Sequence, residues 1–126
     1  MKPQIIATDL APKAVGPYSQ AVRVGDLLFC AGQIPLDPAT GQIVPGGIQE
    51  QSARVLENIK AVLVSQGLGL DRVVKTTVFM VNLADFAAMN EVYAKSFPAN
   101  PPARSTVQVA ALPKGAQVEI EVVAAY

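Results

Sequence analysis

Apolar residues recur at helical spacing in two stretches of the chain. Between Ile48 and Gln66, the positions Ser52, Val55, Leu56, Ile59, Val62 and Leu63 follow the i, i+3, i+4, i+7 rule and are mostly apolar. They predict an amphipathic helix that Gly67 can stop. From Leu83 to Phe97 the same spacing returns through Phe86, Met89, Tyr93 and Phe97, and Pro98, Pro101 and Pro102 end it. The other apolar runs are short, and β-branched or alternating. Gln4–Thr8 reads as a first strand, Ala21–Val24 and Leu27–Ala31 as a hairpin across Gly25-Asp26, and Val73–Asn82 as a further strand. Arg104–Ala110 and Gln117–Ala125 are the last two, joined through Leu112-Pro113-Lys114-Gly115. Residues 35–47 hold three prolines and three glycines and predict a loop.

This order predicts an α+β domain over residues 1–126, with two helices packed on one face of a mixed or antiparallel sheet. The second face of the sheet is then the open question. In the last strand Val118, Ile120 and Val122 alternate with Glu119 and Glu121, and in the preceding one Ser105, Val107 and Val109 alternate with Arg104, Thr106 and Gln108. If both apolar sets face the helices, Arg104, Thr106, Gln108, Glu119 and Glu121 share the helix-free face. That face is either solvated or packed against a second subunit.

Composition narrows the chemistry. Ten Lys and Arg balance ten Asp and Glu, which argues against a nucleic-acid partner. Charged residues make up only 16% of the chain, as expected if additional surface is buried in a homo-oligomer. Histidine is absent and Cys30 is the one cysteine, so Ser-His-Asp and Cys-His sites, zinc shells and an internal disulfide are all excluded. Cys30 lies in an apolar run and reads as buried and inert. Acid–base work falls to a carboxylate, a lysine, a tyrosine or water. Lys75 and Lys114 carry no signal of a lowered pKa and read as solvated. Gly67-Leu68-Gly69 follows a helix instead of opening one, and lacks the third glycine of a dinucleotide loop. No apolar run approaches a membrane span and the first residues lack a signal-peptide core, so the expected setting is cytoplasmic.

Five segments taken together carry a resemblance. Gly16-Pro17-Tyr18-Ser19-Gln20-Ala21, Gly32-Gln33-Ile34-Pro35, Val74-Lys75-Thr76-Thr77-Val78-Phe79, Pro102-Ala103-Arg104-Ser105, and Leu112-Pro113-Lys114 followed by Val118-Glu119-Ile120-Glu121 resemble the RidA/YjgF family, in order and with compatible spacing. The resemblance implies a chorismate-mutase-like fold and a homotrimer with a central β-barrel and clefts between subunits. It also implies hydrolytic deamination of 2-imino and enamine acids released by pyridoxal-phosphate enzymes, with no cofactor or metal.

The same resemblance assigns roles. Arg104 matches the arginine that binds the substrate carboxylate, a task suited to a planar guanidinium fork. Glu119 matches the catalytic glutamate, where a positioned carboxylate can deprotonate water and pass the proton to nitrogen. Tyr18, Gly32, Thr106 and Asn90 match substrate-binding positions. Each has a plainer reading from the residues alone. Arg104 could pair with Glu119 or Glu121, and Glu119 could be a solvated strand residue. Tyr18 could be a wall residue, Gly32 a strand-end turn, and Asn90 an exposed helix residue. Thr106 stands where the family commonly has cysteine, and Ala31 where serine is frequent, which bears on substrate preference. Two alternatives remain open: a non-catalytic carboxylate-binding or chaperone-like trimer using the same cleft, and RNA cleavage, against which the neutral charge and missing histidine argue.

Overall fold

The computed structural model describes residues 1–126. The strands are β1 (Gln4–Ile6), β2 (Ala21–Val24), β3 (Leu27–Gln33), β4 (Val73–Met80), β5 (Ala103–Gln108) and β6 (Val118–Ala125). The helices are α1 (Ile48–Val64) and α2 (Phe86–Ser96). All six strands form one mixed sheet in the order β1-β2-β3-β6-β4-β5, antiparallel throughout except for the parallel pair β4–β5. Helices make both crossovers between parallel strands: α1 leads from β3 to β4, which flank β6, and α2 joins the adjacent parallel pair β4–β5.

Local signals place the elements close to expectation. Gly25 takes φ +58° in the two-residue turn between β2 and β3, a conformation that costs glycine little. α1 ends in a Schellman arrangement: Leu68 N–H donates to Leu63 O at 2.9 Å and Gly67 N–H to Val64 O at 3.0 Å, with Gly67 at φ +70°. The second helix is shorter than its apolar spacing suggests. Leu83–Asp85 is a 3₁₀ turn, and Asn82 caps it by accepting from Ala84 N–H at 2.9 Å.

One apolar core lies between the helices and one sheet face. Val55, Ile59, Val62 and Leu63 of α1 and Met89 and Tyr93 of α2 meet Val78, Met80, Val118, Ile120 and Val122. Ile59, Leu63 and Ile120 are fully buried, each contributing about 1.5–3 kcal/mol. Truncating one to alanine would cost about 2–5 kcal/mol.

Register decides which face each strand residue takes, and it corrects one expectation. Thr76 of β4 is buried on the helix side and pairs with both Val122 and Arg104, while Val78 pairs with Ile120 and Thr106, and Met80 with Val118 and Gln108. Arg104, Thr106 and Gln108 therefore face the helices, not the free side. Glu119 and Glu121 do lie on the free side, paired with Phe79 and Thr77. The reason is position: β5 is an edge strand, so its helix side meets only the flank of α2 and can hold polar groups. Its apolar Val107 instead sits on the open face, 43% exposed. Leu27 and Phe29 are exposed on that same face. No helix is long and apolar enough to cross a membrane.

Candidate functional site

The sequence-predicted residues fall into two groups, one on each side of the sheet. On the helix side, Arg104 is half-buried against α2. Its Nη1 donates to Asn90 Oδ1 at 2.7 Å, and its Cζ stands 4.7 Å from the Tyr93 ring centre and 5.3 Å from that of Phe86. Stacking on aromatic faces and one amide acceptor fix the guanidinium while leaving most of its donors free. The acceptor is a neutral amide, so within one chain Arg104 does not pair with Glu119 or Glu121. Tyr93 is itself anchored, its hydroxyl 2.7 Å from buried Thr76 Oγ1. Thr106 lies two residues along the same face, and its hydroxyl is buried with no hydrogen-bond partner.

On the free side, Glu119, Tyr18 and Gly32 line one cavity of about 570 Å³, together with Lys13, Lys114 and Glu121. A β-bulge builds it. Cys30 pairs with Val122 and Gln33 with Ile120, so Ala31 and Gly32 oppose the single residue Glu121. Gly32 is thus more than a strand-end turn: a β-carbon there would fall 2.8 Å from Glu119 Cδ and closer still to its carboxylate oxygen. Only a bare backbone lets this carboxyl group lie across β3. Glu119 is half-buried, and burial, followed by the charge of Glu121, raises its carboxyl above the ordinary range. Tyr18 is 54% exposed at the cavity wall, its hydroxyl accepting from Val15 N–H at 3.4 Å. A second hollow of about 510 Å³ lies between β1 and the 8–20 loop and contains neither Glu119 nor Arg104.

The carboxyl group and the guanidinium that sequence reasoning brought together are thus separated by the sheet within one chain. Lysine placement also differs from expectation. Lys75 is not freely solvated, since its Nζ donates to Thr76 O at 3.1 Å and Thr77 Oγ1 at 3.3 Å. Cys30 is buried, and burial pushes its thiol up to about 12, which keeps it protonated and unreactive. No group of three or more His, Cys, Asp or Glu side chains converges anywhere in the fold.

A family model described as Endoribonuclease L-PSP matches residues 8–126. The chain is 53% identical to a RutC family protein of Pyrococcus abyssi over 98% of both sequences. It is 46% identical to the 2-iminobutanoate/2-iminopropanoate deaminase of Mus musculus, over 96% of this chain and 90% of that one. The chain belongs to the RidA/YjgF family. Its α+β architecture is the family's: the structure of Escherichia coli TdcF with bound serine superposes with a TM-score of 0.91 at 47% identity, covering 98% of each chain. For a RidA/YjgF protein, the aromatic bed under Arg104 is a feature that sequence reasoning missed. Phe86 and Tyr93 were legible only as core-facing helix residues. Yet Phe86, Asn90 and Tyr93 fall at i, i+4 and i+7, one stripe of α2, and an amide between two aromatics on a buried stripe was the available signal.

Proposed function

We propose that this protein hydrolyses small 2-imino acids, such as 2-iminobutanoate and 2-iminopropanoate, to 2-oxo acids and ammonia at a site assembled from two copies of the chain. One copy supplies Arg104, Asn90 and Thr106, and its neighbour supplies Glu119, Gly32 and Tyr18. The observation that carries this reading is that one chain presents two incomplete half-sites on opposite faces of its sheet. One is a guanidinium fixed by Asn90, Tyr93 and Phe86 with most of its donors free. The other is a half-buried carboxyl group, raised above its ordinary range by burial and then by Glu121, in a cavity on the opposite sheet face. The exposed apolar groups Leu27, Phe29 and Val107 on the free face favour its burial against other copies. The homotrimer around a central barrel that the family resemblance implies would bury them.

The relatives support the chemistry. The mouse relative is named for this reaction, and TdcF was crystallised with serine, a small molecule bearing a 2-amino group and a carboxylate. Arg104 would grip the substrate carboxylate through two hydrogen bonds. Water then attacks the carbon of C=N, and Glu119 takes one of its protons and gives it to nitrogen, forming the 2-amino-2-hydroxy acid. The hydroxyl proton follows the same route as the C–N bond breaks. Ammonia leaves and the carbonyl remains, so both protons of water end on nitrogen. Such acid–base assistance is worth roughly 10²–10⁴-fold.

The test is to generate 2-iminobutanoate in situ and follow its conversion to 2-oxobutanoate. Acceleration is expected from the wild-type protein and none from Arg104→Ala. Equal decay with and without protein would remove the proposal. A carboxylate-binding protein without catalysis would keep its function in Glu119→Gln, whereas the deaminase would lose turnover and keep binding. The family model's description raises RNA cleavage as a second reading. Loss of RNA integrity that persists in Glu119→Gln and weakens with salt would favour that reading.

A further inference from the structure

We propose that Glu121 is a positioning residue that acts through Glu119 and sets the pH range over which Glu119 can take a proton from water and pass it on. The proposal rests on the deaminase reading for its kinetic consequence, but not for its direct test. Glu119 and Glu121 are alternate residues of β6 and leave the same face of the strand, about 6–7 Å apart at the ordinary strand rise. Both line the one cavity that also holds Tyr18 and Gly32. The bulge is centred on Glu121, since Ala31 and Gly32 both oppose it. The backbone distortion beside which Glu119 lies across Gly32 therefore also sets where Glu121 leaves the strand.

The charged groups around Glu119 make this pairing the dominant one. On β3 its neighbours are Gly32 and Gln33, neither titratable, and on β4 its partner is Phe79. The 8–20 loop contributes Lys13 and Tyr18, and the 112–115 turn contributes Lys114. Lys114 Nζ is turned to Gly41 O at 3.3 Å, and Lys13 is exposed. Lys75 shares a small hollow with Glu121 but is held by Thr76 O, Thr77 Oγ1 and Ser105 Oγ. In the assembled site Arg104 of a neighbouring copy faces the substrate carboxylate, which takes up its charge. The uncompensated neighbour is Glu121, whose negative charge keeps a proton on Glu119 to higher pH, in the same direction as burial. A carboxyl group so raised is a stronger base toward water, and its conjugate acid is available to protonate nitrogen nearer neutrality.

The test follows the Glu119 side-chain carboxyl carbon by NMR in protein labelled with ¹³C at glutamate Cδ, with the resonance assigned by Glu119→Gln. In Glu121→Gln the Glu119 resonance is expected to titrate lower by on the order of half a pH unit or more. Glu121→Asp, which keeps the charge, should restore it. Glu57→Gln, which removes an equal charge from the exposed face of α1, should leave it in place. The acid limb of the imine-decay profile should move down with it in Glu121→Gln. An unmoved Glu119 titration in Glu121→Gln, or an equal displacement in Glu57→Gln, overturns the proposal. If no protein accelerates imine decay, the deaminase reading fails while the carboxyl titration still decides the role of Glu121.

Discussion

Arg104 and Glu119 leave the same sheet from opposite faces, Arg104 beside Thr76 toward α2 and Glu119 beside Phe79 toward the open side. No side-chain rotation brings them together in one chain. A site that uses both must borrow one of them. Arg104→Ala and Glu119→Ala should therefore each be inactive alone yet complement one another. When the two are unfolded together and refolded, about a quarter of the sites should draw a whole arginine from one variant and a whole glutamate from the other. Imine decay measured on the mixture, against each variant alone, checks this. A mixture no more active than its parts would mean that the two residues do not share a site.

Gly32→Ala should separate activity from folding. The backbone at Gly32 is not in the left-handed region, so alanine meets no conformational strain there. What it meets is the far end of the Glu119 side chain, with Cδ at 2.8 Å. A flexible side chain can swing away at little cost to stability, but the carboxyl group then leaves its place. Thermal unfolding should change by a few degrees at most, while turnover falls on the order of 10²-fold, as ångström displacements of reacting groups commonly do.

What was legible in the sequence divides along physical lines. The alternation of Val118, Ile120 and Val122 with Glu119 and Glu121 reported the true faces because β6 is central, with β3 and β4 on either side and helices over its apolar face. The equally regular alternation of β5 pointed the wrong way. At a sheet edge the apolar set can face an open side, and the polar set can be covered by aromatic rings. The helix around Ile59 and the Gly25 turn were readable from local chemistry. The bulge at Ala31-Gly32 was not, since it is set by pairing with a strand about ninety residues away. Its consequence, a glycine required by Glu119, follows from that long-range pairing.

Arg104→Lys should be far from conservative. The guanidinium lies over the rings of Tyr93 and Phe86, its Cζ 4.7 and 5.3 Å from their centres, and is held by an Nη1 bond to Asn90. An ammonium keeps the charge but loses the fork and much of the stacking. Apparent substrate affinity should fall by about 10–100-fold, corresponding to roughly 1.5–3 kcal/mol for a charged hydrogen bond. Turnover at saturation should change less, and steady-state kinetics separates the two effects.

Glu119→Gln should stabilise the fold at neutral and alkaline pH, and less so in acid. Folding raises the Glu119 carboxyl above its ordinary value, through burial first and Glu121 second, so the native state favours the protonated form. The resulting stability is fully present below the ordinary carboxylate range and is lost as pH rises through the raised value. Glutamine does not ionise and escapes that loss. The difference in Tm between the variant and the wild type should grow with pH across this window and then level off. A constant difference would show that Glu119 titrates alike in the folded and unfolded chains.

Thr106→Val tests whether the unpaired hydroxyl serves a ligand. Valine keeps the shape and removes a buried Oγ1 that has no hydrogen-bond partner within the chain. Leaving such a group unsatisfied costs about 1–3 kcal/mol, so the variant should melt several degrees higher. If the hydroxyl is kept for a ligand bound beside Arg104, that gain comes with weaker binding. Affinity for a small carboxylate should fall about five- to tenfold, the worth of one hydrogen bond. Thermal unfolding with and without the carboxylate reads both effects in one experiment. Higher stability with undiminished affinity would assign any contact at this position to the backbone of residue 106, and would make the hydroxyl a tolerated cost of having threonine in place of cysteine.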